Sequence, residues 1–174
     1  MRFLRRREAP PPGPDPQPGT PSATDAVAIF GSDSILEGRI PFTERRLSDA
    51  LNAGDPLHVQ VGESREWTVF DLDPVVAVAP PTRADPSSQR MARRRHAVEL
   101  SAGRYVIEGT AHMPPGADPM RYVDNTSLRW LPLTHCTVRT AEDDWSVEVL
   151  VVNLEHVRRT RRASPETPGT TTAG

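Results

Sequence analysis

The apolar positions of this chain fall into short runs with two-residue alternation, and the runs come in two sets. Ala26-Val27-Ala28-Ile29-Phe30 reads as a first strand and Gly31-Ser32-Asp33-Ser34 as a turn of hairpin length. Ile35-Leu36-Glu37-Gly38-Arg39-Ile40 is the returning strand, stopped by Pro41. From Thr43 to Ala53 the spacing becomes helical. Thr43 can cap the first turn, Leu47 and Leu51 stand one turn apart, and Asn52 with Gly54 can supply a left-handed C-terminal cap. So short a helix must dock on a sheet to persist. Leu57-His58-Val59-Gln60-Val61 alternates cleanly, Trp67 to Phe70 is the next strand, and Asp71-Leu72-Asp73-Pro74 breaks it. Val75-Val76-Ala77-Val78 is the last strand before Pro80-Pro81.

The order then returns. Ala97-Val98-Glu99-Leu100 and Tyr105-Val106-Ile107-Glu108-Gly109 predict a second hairpin, and Asp118-Pro119 opens a short helix with Met120 and Val123 toward the sheet. Leu128 to Val138, Trp145 to Val152 and Asn153 to Val157 complete the set. Glu37 and Glu108 lie 71 positions apart (108 − 37), Asn52 and Asn125 73 (125 − 52), and Trp67 and Trp145 78 (145 − 67). The drift falls in longer loops around Pro114-Pro115 and Glu142-Asp143, where insertions are tolerated. Trp67 and Trp145 thus take matched positions, in the core or between the halves. Each half has about 60 residues and is marginal alone, so the two are expected to pack together with approximate two-fold symmetry.

Arg46-Leu47-Ser48-Asp49-Ala50-Leu51-Asn52, following Glu37-Gly38 and Pro41, resembles the signature of an uncharacterised bacterial family of small β-rich domains. The second half keeps another piece of that signature, Leu131-Pro132-Leu133-Thr134, while its helix reads Met120-Arg121-Tyr122-Val123-Asp124-Asn125. The resemblance covers residues 26–80 and 97–157 and implies no activity. A more distant likeness, to Sm-like and SH3-like small barrels, rests on strand order alone. The fold expected is mainly β: two tandem homologous ββαβββ barrel-type domains, residues 25–81 and 96–160. A linker (82–95) joins them, and a Pro-rich head (1–24) and a tail (161–174) are expected to be disordered.

Composition narrows the function classes. The net charge of −2 supports no global field for nucleic acid or membrane. All 21 basic residues are Arg, and one cysteine, Cys136, precludes an intramolecular disulfide and suggests a reducing compartment. The basic start Met1-Arg2-Phe3-Leu4-Arg5-Arg6-Arg7 is followed by no apolar stretch of signal length, and nothing approaches the roughly 18 apolar residues of a spanning helix. A cytoplasmic protein is expected.

Candidate chemistry centres on arginine. Arg90, Arg93, Arg94 and Arg95 precede the second domain, and Arg90-x-x-x-Arg94 resembles the first half of the cyclic-dinucleotide motif of PilZ domains. Forked guanidinium groups suit phosphates and guanine edges. The second half of that motif would need Gly where Asn125-Thr126-Ser127-Leu128-Arg129 is followed by Trp130. A solvated linker run accounts for the same residues. Arg158-Arg159-Thr160-Arg161-Arg162 and Arg5-Arg6-Arg7 read as flanking solubilising charge, with nucleic acid or an acidic membrane face as the alternative. His58, His96, His112, His135 and His156 lack metal-ligand spacing, and His135 and Cys136, adjacent on a strand, point to opposite faces. Asp71 and Asp73 sit in a Pro-terminated turn, and no nucleophile elbow or phosphate loop is present. The expectation is a non-catalytic interaction or scaffold protein, without cofactor or metal, whose partner is a protein. The alternative is a nucleotide-sensing or nucleic-acid-binding small barrel using Arg90 to Arg95.

Overall fold

The computed structural model describes residues 26–41, 45–62, 64, 66–81 and 93–163. The Thr43 cap, Arg90, the head (1–24), residues 82–92 of the linker and residues 164–174 of the tail lie outside them.

The first half folds as β1 (Ala26–Gly31), β2 (Ile35–Arg39), α1 (Leu47–Asn52), β3 (Leu57–Val61), β4 (Thr68–Phe70) and β5 (Val75–Ala79). The second folds as β6 (Arg94–Ala102), β7 (Tyr105–Met113), α2 (Pro119–Asn125), β8 (Trp130–Arg139), β9 (Asp144–Asn153) and β10 (Val157–Arg162). A single 3₁₀ turn, Leu154–His156, precedes β10. The protein is mainly β. All ten strands join one antiparallel ladder in the order β10-β6-β7-β8-β9-β5-β1-β2-β3-β4. The ladder by itself does not divide into two barrels.

Each half contributes its strands in the same internal order, fifth-first-second-third-fourth. The detail corresponds as well. Val27 faces Gly38 and Val98 faces Gly109. A bulge interrupts β1·β5 between Phe30 and Gly31, and its counterpart interrupts β6·β10 between Val157 and Arg159. Ser32 donates its N–H to the Pro74 carbonyl at 2.9 Å, and Gly103 donates to the His156 carbonyl at 3.2 Å. The Asp73 amide donates to the Asp71 side chain at 3.0 Å, and the Glu155 amide to the Asn153 side chain at 3.1 Å. Asn52 and Asn125 each donate back to the carbonyl one turn earlier, Ser48 and Arg121, at 2.8 Å.

Both glycines of the Glu-Gly steps answer a close approach. A Cβ on Gly38 would lie 2.6 Å from the Gln60 carbonyl oxygen and from Val59 Cγ1; one on Gly109 would lie 2.8 Å from Cys136 Sγ. α2 has the predicted start, with Asp118 accepting from the Met120 and Arg121 amides at 3.1 Å ahead of Pro119. The Arg121 amide above all, then the Arg162 guanidinium, holds the Asp118 carboxyl below the usual carboxylate range. α1 begins at Leu47 rather than near Thr43, and Gly54, at φ +84°, provides its left-handed end.

The halves join through β5·β9, with Ala77 opposite Val152 and Val78 opposite Val151. This differs from the expected two-fold arrangement: the seam pairs the fifth strand of one half with the fourth of the other, and a two-fold axis would pair like with like. β5 is buried throughout, because both halves cover it. Val75 and Val78 enter a core with Ile29, Leu51, Val59, Trp130 and Val151, while Val76 and Ala77 enter the other with Leu100, Ile107, Leu133 and Leu150. An uninterrupted apolar run is what a strand buried on both faces requires.

Two further expectations are corrected. Leu57 faces Phe70 across β3·β4, and its counterpart Leu131 faces Val152 across β8·β9. The same count places Val149, not Trp145, at the position of Trp67. Trp145 lies farther out on a longer hairpin, where it meets the Phe30 ring edge-on at 5.9 Å. Second, Arg158 to Arg162 is not a trailing charge run but the body of β10, the counterpart of β5. Its backbone pairs with β6 from Val157 to Arg162, Thr160 is buried, Val157 packs against the core, and the arginines turn to solvent, a disposition suited to an edge strand. Ordered strand therefore extends from Arg94, within the expected linker, to Arg162, within the expected tail.

Candidate interaction surface

Among the described residues the ladder ends in two open edges, β4 and β10. They have opposite characters. β4 carries Val69, exposed at 61%, with Trp67 just before the strand at 47% and Val61 of neighbouring β3 at 39%. Among the described residues these are the large hydrophobic side chains most open to solvent. Val69 stands opposite His58, on the face away from the Leu57–Phe70 pair. Glu66 precedes the strand, and Asp71 and Asp73 follow it. β10 carries Arg158, Arg159, Arg161 and Arg162, of which Arg162 pairs with Asp118 at 2.9 Å. Thr160 is buried, and its Oγ1 has no hydrogen-bond partner.

The seam inside the chain shows what such edges look like when covered. Val151, in β9, corresponds to Val69 and is 1% exposed, because β5 lies beside it and Trp130 and Val75 share its core. Polar groups stitch the same seam. Asn52 grips the Trp130 peptide, accepting its N–H and donating to its carbonyl, both at 2.8 Å. Asn153 donates to the Val75 carbonyl at 3.1 Å, Tyr105 to the Gly31 carbonyl at 2.8 Å, and Arg129 reaches Glu155 at 2.8 Å and Asp73 at 3.4 Å.

The arginine cluster is divided by the strand it belongs to. Arg93 precedes β6, Arg94 faces Met113 and Arg95 faces His112, and all three side chains are exposed. As neighbours on a strand, Arg94 and Arg95 point to opposite faces. Arg95 shares its face with His112, whose Nε2 lies 2.9 Å from Thr134 Oγ1. Burial first, then the charges of Arg95, Arg93 and His135, pushes the His112 pKa down. Two surface depressions among the described residues lie away from these arginines. One is lined by Glu37, Arg104, Thr140 and Trp145, the other by His135, Thr137 and Glu148.

The remaining candidates take structural places. Cys136 is buried, and burial raises its thiol pKa to about 12, so almost none of it is thiolate at neutral pH. His135 is exposed, with φ +52° beside a bulge in β7·β8. His156 bonds the Asp73 carbonyl at 2.8 Å, on the seam. Among the described residues no group of three His, Cys, Asp or Glu side chains is placed to hold a metal, and no helix is long and apolar enough to cross a membrane.

The β4 and β10 edges escaped sequence reasoning because neither carries a motif. The available signal was Glu66-Trp67-Thr68-Val69-Phe70-Asp71, a strand whose alternate positions are apolar on both faces, although only three of its residues join the ladder. No family model, curated protein or solved structure matches this chain.

Proposed function

We propose that this is a non-catalytic interaction protein that recognises its partner by accepting a strand along the open β4 edge. The observation that carries the reading is the contrast between two corresponding side chains, Val69 at 61% exposure and Val151 at 1%. An exposed edge with apolar side chains is a template for another strand: main-chain hydrogen bonds supply affinity, and alternate side chains supply specificity. The shared strand order, the paired bulges and the repeated turn hydrogen bonds support reading the chain as an internal duplication of a ββαβββ unit. On that reading one copy of the fourth-strand edge is used inside the chain, and the other is kept for a partner.

The test is site-directed photocrosslinking in extract of the source cells. The chain has no Lys for amine reagents, so a photoreactive phenylalanine analogue replaces Thr68 in the full-length protein. Crosslinks to a polypeptide, lost on Val69→Lys while the melting temperature holds, are the expected result. A crosslinking profile unchanged by Val69→Lys would overturn the reading.

A further inference from the structure

The sheet holds, within one chain, the junction that its two ends can make between chains. At the internal seam a fourth strand, β9, lies antiparallel to a fifth strand, β5. The strands left open are the other fourth strand, β4, and the other fifth strand, β10. Resting on the edge-recognition reading above, we propose that the occupant of the β4 edge is β10 of a second copy of this chain, in a head-to-tail repeat of the internal seam.

The correspondence fixes the register. Ala77 opposite Val152 becomes Arg159 opposite Phe70, and Val78 opposite Val151 becomes Thr160 opposite Val69. Val69 then takes the covered place that Val151 has. Thr160 takes at that seam the place that Val78 has at the internal one. Charge favours the same pairing: in this register Arg158 of one edge stands opposite Asp71 of the other, and Arg161 and Arg162 come toward the end that carries Glu66.

The seam between copies lacks two clasps of the internal one. Pro56 stands where Trp130 stands, and it has no N–H for an asparagine to accept. Asp71 stands where Asn153 stands, and as a carboxylate it cannot donate to a carbonyl. The pairing between chains is therefore the weaker version, reversible and dependent on concentration and salt. Because it joins unlike edges, it either closes into a ring or extends as a filament.

Sedimentation velocity of the purified full chain tests this. Species heavier than the 19.2 kDa chain should grow with protein concentration and recede with added salt. Val69→Lys and the double variant Arg158→Glu/Arg159→Glu should each remain single, with unchanged melting temperatures. Each variant keeps one intact edge, so an equimolar mixture of the two should form a one-to-one pair and grow no further. A two-fold interface cannot give that result, and a mixture that stays single would overturn the proposal. A purified chain that is single at every concentration, while Val69-dependent crosslinks persist in extract, overturns self-pairing and leaves edge recognition standing. Loss of both overturns both.

Discussion

The Asn52 carboxamide and the Trp130 peptide form a closed pair, N–H to Oδ1 and Nδ2–H to carbonyl, each at 2.8 Å across 78 residues of sequence. α1 of the first half is thereby fixed to β8 of the second. Asn52→Ala leaves a buried donor and acceptor without partners, an expected loss of about 2–3 kcal/mol. Asn125→Ala removes only a bond within its own helix and should cost about 1 kcal/mol or less. Urea unfolding midpoints of the two variants at unchanged slope make the comparison.

Gly38→Ala and Gly109→Ala should differ in severity. The methyl at Gly38 meets a backbone oxygen that cannot swing aside, so a cost of about 1–3 kcal/mol is expected. The methyl at Gly109 meets a side-chain sulfur first. Adding Cys136→Ala should therefore partly offset the cost of Gly109→Ala and do nothing for Gly38→Ala. A double-mutant cycle measured by thermal unfolding reads this directly.

His112 gives the fold a pH dependence of determinate sign. Its pKa in the fold lies below the ordinary 6.5, so near and below that value the unfolded chain binds the extra proton more readily. Stability from this group is present above 6.5 and declines as pH falls from there to the depressed value, then levels off. Because burial is the largest cause, Arg95→Gln should raise the His112 pKa only partway toward the ordinary value. NMR titration of the His112 ring with and without Arg95 checks both statements.

Cys136 should be silent to thiol reagents in the folded protein. Its pKa of about 12 and its burial leave almost no thiolate at neutral pH. Iodoacetamide labelling should follow unfolding, with the same denaturant midpoint as tryptophan fluorescence. Labelling of the native protein at the rate of a free thiol would contradict the packing.

Strand content was legible wherever one face is buried, since alternation such as Leu57 to Val61 states which side is inward. Asp118-Pro119 and Gly54 were legible because capping is local chemistry. β10 was not, because an edge strand whose inward side chains are only Val157 and Thr160 leaves no periodicity among its arginines. The partner of Trp67 was misread because the β8–β9 hairpin is longer than β3–β4, and only ladder register reveals where the extra residues lie. The β5·β9 seam joins residues some seventy positions apart, and no local pattern specifies such a pairing. Its trace was nonetheless present in Val75–Ala79 and Leu150-Val151-Val152, two apolar runs without alternation that mark strands covered on both sides. Of the arginine cluster, Arg94 and Arg95 are set on opposite faces by the strand's alternation, while Arg93 and Arg95 both bear on His112.

Burial of β5 on both faces sets an order of events during synthesis. Ala79 leaves the ribosome well before Asp144, the first residue of the strand that covers it. At roughly 5–20 residues per second, that interval lasts several seconds. Throughout it the nascent first half lacks Leu100, Ile107, Leu133 and Leu150, which complete the core around Val76 and Ala77. A neighbouring polypeptide on the same messenger, further along in synthesis, can supply β9 first and produce an exchanged dimer. The strand order thus leaves the β5 edge open to another chain for as long as residues 80–153 take to be made.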